Sequence, residues 1–158
     1  MFAVTLQQLI ANVMKKALFS CLLLFFAATM MAQTDSTTFK GYLYNDEYKV
    51  YLKIDFYKQN ITVPAQEVYG ELPGYFGARR DTRLWLITDA KVDKKGKRAT
   101  VSIINDFGSE DLTAALYPNP DGTFTLEQLK GSKLKIVVNR KWLKIPAKLI
   151  LKKDPKRV

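Results

Sequence analysis

The sequence predicts an all-β protein, an antiparallel barrel of about eight strands with a β-sandwich as the alternative. Three observations predict it. Apolar residues recur at every second position in run after run, short turn sequences separate the runs, and no stretch beyond residue 32 carries a long helical stripe.

The chain opens with a leader. Met14-Lys15-Lys16 precedes the apolar run ALFSCLLLFFAATMMA, residues 17–32, which closes in small residues ahead of Gln33-Thr34-Asp35-Ser36. A charged start, a greasy middle and a cut after Ala32 are the parts of a secretory signal peptide. The run is shorter than the roughly 20 residues a spanning helix needs, so no transmembrane span is expected in the mature protein. The uncharged stretch MFAVTLQQLIANV makes Met14 the expected start of translation. Leu18-Phe19-Ser20-Cys21 is a poor lipobox, because the apolar run continues past the cysteine. The expected localisation is therefore periplasmic or secreted, with residues 33–158 as one domain.

Beyond residue 32 there is no Cys, no Met and no His. That excludes disulfides, thiolate or imidazole metal ligands, His-dependent triads and thiol nucleophiles, and neither a metal nor a cofactor is expected.

The strands follow in order. YKVYLKIDFY, residues 48–57, sets Tyr48, Val50, Leu52, Ile54 and Phe56 on an inner face against Lys49, Tyr51, Lys53, Asp55 and Tyr57. RLWLITDAKV repeats the alternation, with Leu84, Leu86, Ala90 and Val92 expected to face in. ATVSIIN, LTAALY, TFTLEQL and KLKIVV are shorter runs of the same kind. Turns are expected at Asp93-Lys94-Lys95-Gly96, Asp106-Phe107-Gly108, Pro118-Asn119-Pro120-Asp121-Gly122 and Gly131-Ser132.

Residues 58–81 interrupt the alternation. Pro64, Gly70, Pro73, Gly74 and Gly77 make this a long loop, and Leu72-Pro73-Gly74-Tyr75 fits a type II turn. Tyr69, Tyr75, Phe76, Arg79 and Arg80 are its candidate ligand-binding side chains, since aromatics among charges can stack a sugar ring and hydrogen-bond its hydroxyls. The alternative is that Tyr69, Tyr75 and Phe76 only close one end of the barrel.

The leader MKKALFSCLLLFFAATMMAQ, the opening Phe39-Lys40-Gly41-Tyr42, the element Gly74-Tyr75-Phe76-Gly77 and the closing Ile145-Pro146-Ala147-Lys148-Leu149 resemble small secreted envelope proteins of Gram-negative gut bacteria. Many of those are lipocalin-like barrels of unknown function, so the resemblance implies a barrel and no particular activity. The chain lacks the central glycine-tryptophan pairs common in such barrels.

Charge is distributed unevenly. Residues 33–129 hold 12 Lys and Arg against 14 Asp and Glu, whereas residues 130–158 hold 11 basic residues and only Asp154. A two-residue turn at Asn139-Arg140 would set Leu143 opposite Ile136 and Ile145 opposite Leu134. Leu134, Ile136, Leu143, Ile145, Ala147, Leu149 and Leu151 then share the core face of a basic C-terminal hairpin, residues 130–158. Lys133, Lys135, Trp142, Lys144, Lys148 and Lys152 share the outer face, and Lys135 lies opposite Lys144, a like-charge pair that costs stability. Two readings fit this face. It binds an anionic glycan or lipid headgroup, with Trp142 and Ile150 on the apolar part, or its lysines and Pro146 protect an exposed strand edge. Nucleic acid is not an expected partner, because the leader sends the protein away from it.

The expected function is therefore non-catalytic binding. An inhibitor or assembly partner of another secreted protein, an acidic one given the basic tail, is the first alternative. A carboxylate-dependent glycoside hydrolase is the second, with Glu67, Glu71 and Asp89 as the available acids and no base tuned near neutral pH.

Overall fold

The computed structural model describes residues 36–157, so the expected leader lies outside the described residues. Eight strands close into an antiparallel barrel in the order β1-β12-β9-β8-β7-β6-β5-β2, and β2 pairs back onto β1. They are β1 (Lys40–Asn45), β2 (Val50–Asp55), β5 (Gly74–Ala78), β6 (Asp81–Val92), β7 (Ala99–Asn105), β8 (Asp111–Pro118), β9 (Phe124–Gly131) and β12 (Lys148–Asp154). Two small hairpins stand apart from the barrel, β3 (Ile61–Thr62) with β4 (Glu71–Leu72), and β10 (Lys135–Val138) with β11 (Lys141–Lys144). Among the described residues the one helical element is a 3-10 turn at Glu67–Tyr69, and no helix is long and apolar enough to cross a membrane.

The barrel interior is filled. Eight strands enclose a space only about wide enough for side chains, and Leu43, Leu52, Ile54, Phe76, Trp85, Ile87, Ile103, Leu116 and Leu126 occupy it with almost no exposure, in one continuous cluster. One end is closed by Phe39, Phe56 and Phe124, whose rings lie 6.0 Å and 6.3 Å from that of Phe39. The other end is covered by the β10–β11 hairpin, which sends Leu134, Ile136 and Ile145 into the core.

Gln128 on β9 fastens this cover. Its amide donates to the carbonyls of Ile145 at 3.1 Å and Pro146 at 2.8 Å, and its oxygen accepts the Leu134 N–H at 2.8 Å. The outer edge of β10 is satisfied by side chains from β6, where Trp85 Nε1 donates to the Lys135 carbonyl and Asp81 Oδ2 accepts the Val137 N–H. Two polar side chains thus stand where a neighbouring strand would otherwise pair.

Several expectations are corrected. Gly74–Ala78, placed in the long loop, is a barrel strand between β2 and β6. Its glycines hid it. Gly74 has φ of +158°, far from the type II value of about +80°, and it opens the strand instead of a turn because its bare Cα lies against the β2 backbone at Lys53 and Ile54. In β6 the inward residues are Trp85 and Ile87, while Leu84 and Leu86 pack outside with Val63, Leu72 and Tyr75 in a second small core under the loop. A bulge between Ile87 and Asp89 inserts one residue and shifts the phase, so Ala90 faces in as expected. The basic segment is not one hairpin. The chain leaves β11, turns through Pro146 and re-enters the barrel as β12 between β9 and β1. Leu143 and Ala147 are consequently exposed rather than in the core.

Candidate functional site

The expected register of the basic segment is present. Asn139 and Arg140 both have positive φ, 51° and 63°, as a primed two-residue turn requires, and Lys135 pairs with Lys144. The like charges are separated by local partners. Lys135 Nζ reaches Glu110 at 2.8 Å and lies over the Trp142 ring at 4.8 Å. Lys148 pairs with Glu127 at 3.1 Å, and that contact holds Lys148 above the usual lysine range.

The six candidates of this segment occupy two different sheets. Lys135, Trp142 and Lys144 sit on the end-covering hairpin, with Lys133 just before it, whereas Lys148 and Lys152 lie on the barrel flank along β12. Trp142 is half exposed, and its ring is already engaged by Phe107 at 5.5 Å and by the Arg83 guanidinium at 5.3 Å. Because β12 has neighbours on both sides, the free strand edge among the described residues of this segment is that of β11, where Lys141 and Lys144 stand.

The loop candidates separate as well. Phe76 is fully buried in the barrel, Tyr69 is exposed on the 3-10 turn, and Arg79 and Arg80 form the exposed β5–β6 turn. Of the five, only Tyr75 and Arg79 meet at one site.

That site is a cleft of about 600 Å³ on the outer flank, lined by Tyr42, Tyr51, Lys53, Tyr75, Arg79 and Arg157. The sheet register builds it. Tyr42 on β1 pairs with Lys53 on β2, and Lys53 pairs with Tyr75 on β5, which makes one transverse row on the outer face. In the next row Lys152, Tyr44, Tyr51 and Gly77 stand side by side. Gly77 leaves the space into which Tyr51 leans, since a Cβ there would come within 2.6 Å of the Tyr51 hydroxyl.

The aromatic rings support one another. Tyr42 and Tyr51 stack at 5.2 Å, Tyr51 meets Tyr75 edge-on at 6.0 Å, and the Arg157 guanidinium lies 5.1 Å from the Tyr42 ring. Burial, and then the neighbouring phenols, push the Tyr51 hydroxyl above its ordinary value, and burial followed by Tyr42 does the same to Tyr75. Both remain hydrogen-bond donors at neutral pH. Arg157 is shared with Asp154 at 3.6 Å, whereas Lys53 and Arg79 have no ion-pair partner among the described residues.

Tyr42, Tyr51, Lys53 and Arg157 were absent from the expected site. Their outward position was readable for Tyr51 and Lys53 from the alternation in residues 48–57, but their convergence depends on pairing across three strands.

None of the carboxylates named for a hydrolase lines this cleft. Glu67 and Glu71 are exposed, and Asp89 is exposed and pairs with Lys91 at 3.5 Å, while Trp85 of the same strand points into the barrel.

Fold and site together define a small closed eight-stranded antiparallel barrel with a filled interior and an external, cation-rich tyrosine cleft. Comparison with known protein families, with curated proteins and with solved structures returns no match.

Proposed function

We propose that this is a non-catalytic binding protein of the periplasmic or extracellular space, and that it takes an anionic envelope glycan or lipid headgroup on its outer flank. One observation carries the reading. Three tyrosines and three cationic side chains line one cleft, and no carboxylate lines it among the described residues. Such a site attracts negative charge and offers hydroxyl donors to it. The filled interior supports external binding, since acyl chains would have no room within the barrel and a lipid would be held by its headgroup alone.

Retention on an immobilised acidic polysaccharide tests the reading. The parent protein should be retained at low salt and released as salt rises. Lys53→Gln with Arg79→Gln should abolish retention, while Lys135→Gln with Lys144→Gln should leave it in place. Equal retention of the parent and the Lys53/Arg79 variant would refute the site.

Assembly with another secreted protein is a second reading, favoured by the free edge of β11 and by Val68, which is 90% exposed on the 3-10 turn beside Tyr69. An extended acidic segment added to β11 would pair with its edge beside Lys141 and Lys144.

A further inference from the structure

The cleft has more positive charge than a single carboxylate neutralises. Lys53, Arg79 and Arg157 contribute three formal charges, and Asp154 offsets one through its contact with Arg157. About two remain, which matches the −1.5 to −2 of a phosphomonoester near neutral pH.

The donors are sufficient too. A phosphomonoester presents three terminal oxygens, each able to accept more than one hydrogen bond, and the cleft offers three phenol hydroxyls together with an ammonium and two guanidinium groups, the latter able to grip phosphate oxygens in pairs. Stacking is the weaker use of these rings. Tyr42 is already engaged by Tyr51 and Arg157, and Tyr51 by Tyr42 and Tyr75. Their unpaired hydroxyls are what the cleft has to give a ligand.

We propose that the anionic group held by the cleft is a phosphomonoester, borne either by a phosphorylated glycan or by a lipid headgroup. This rests on the anion-binding role proposed above and names its ligand chemistry. The chain has no histidine, the only side chain whose unperturbed charge changes between about pH 5 and 8. The groups facing the ligand are Tyr42, Tyr51, Tyr75, Lys53, Arg79, Arg157 and, behind Arg157, Asp154. The pH dependence expected of binding is that of the ligand, whose second phosphate ionisation falls near pH 6.

Calorimetry with glucose 1-phosphate and with glucuronate, at pH 5 and pH 7.5, reads this directly. Glucose 1-phosphate should bind roughly tenfold more tightly at pH 7.5, following a second phosphate ionisation near pH 6. Glucuronate should bind more weakly and equally at both values. Lys53→Gln with Arg79→Gln should abolish binding of both, and Tyr51→Phe, which removes one hydroxyl and keeps the ring, should weaken glucose 1-phosphate several-fold.

Glucuronate binding that equals glucose 1-phosphate, without pH dependence and lost in the double variant, would overturn the phosphate assignment and leave the anion site standing. Binding of neither, or binding that survives the double variant, would overturn both. Vesicles separate the two sources. Capture of phosphatidic acid vesicles but not of phosphatidylserine vesicles identifies a lipid headgroup, and capture of neither, with glucose 1-phosphate bound, identifies a glycan.

Discussion

Replacing Gln128 with leucine keeps the side-chain volume and removes the three hydrogen bonds that fasten the β10–β11 hairpin over the barrel end. The buried Leu134 N–H and the carbonyls of Ile145 and Pro146 lose their partner together. A buried donor left unpaired costs about 1–3 kcal/mol, and a carbonyl somewhat less, so the sum is about 2–5 kcal/mol. Against a typical domain stability of about 5–15 kcal/mol this is a large fraction. The loss should also be local, because the barrel ladders are untouched. Urea denaturation should show a lower midpoint with little change in slope. Hydrogen exchange should show Ile136 and Ile145 opening well before the amides of β7 and β8. A stability loss below about 0.5 kcal/mol, within the range of ordinary surface changes, or exchange that rises equally everywhere, would refute the idea that Gln128 pins the cover.

Three further outcomes are expected. In Asp55, burial pushes the carboxyl up, but the Lys58 N–H, the Lys40 ammonium and the Tyr57 N–H outweigh it and hold the group below its ordinary value. Its stabilisation is therefore present above the unfolded value of about 3.9 and is lost as pH falls through the folded one. The urea midpoint should drop more steeply below about pH 4 in the parent than in Asp55→Asn, and identical profiles would contradict this. In Gly74→Ala, the added Cβ would overlap the Lys53 carbonyl and lie 3.0 Å from Ile54 Cα, which cannot yield without parting β5 from β2. The cost should be about 1–3 kcal/mol or more, and a fully stable variant in denaturation would show that β5 is misplaced. Changing Lys135, Lys144 and Lys148 together to glutamine removes the half-buried Lys135–Glu110 contact and the surface Lys148–Glu127 contact, and it relieves the Lys135–Lys144 pairing. Stability should stay near that of the parent, while sedimentation should reveal self-association through the β11 edge if its lysines protect it. A strictly monomeric variant would speak against that protective role.

The legible parts of the fold were those where one face is wet and the other dry. The alternation in residues 48–57 and the register of Lys135 with Lys144 could be read directly, because a one-residue slip would expose every apolar side chain. β6 could not, since its first half is covered on both faces, inside by the core and outside by Val63 and Leu72, and a bulge then changes its phase. β5 was hidden by Gly74 and Gly77, whose missing side chains serve contacts with β2 that no local pattern reveals. The cleft was the least legible feature. Its residues come from β1, β2, β5, the β5–β6 turn and the segment after β12, and only the pairing of those strands brings them together.

The central claim is that the ligand is held outside a filled barrel, in the tyrosine cleft. Amide chemical-shift mapping of the isotope-labelled protein during titration with glucose 1-phosphate tests it most directly. The account predicts saturable shifts concentrated at Tyr42, Tyr51, Lys53, Tyr75, Gly77 and Arg79, with the interior residues Leu52, Leu116 and Leu126 unmoved. Shifts centred on that interior, or on Lys135, Trp142 and Lys144 of the end-covering hairpin, would contradict it.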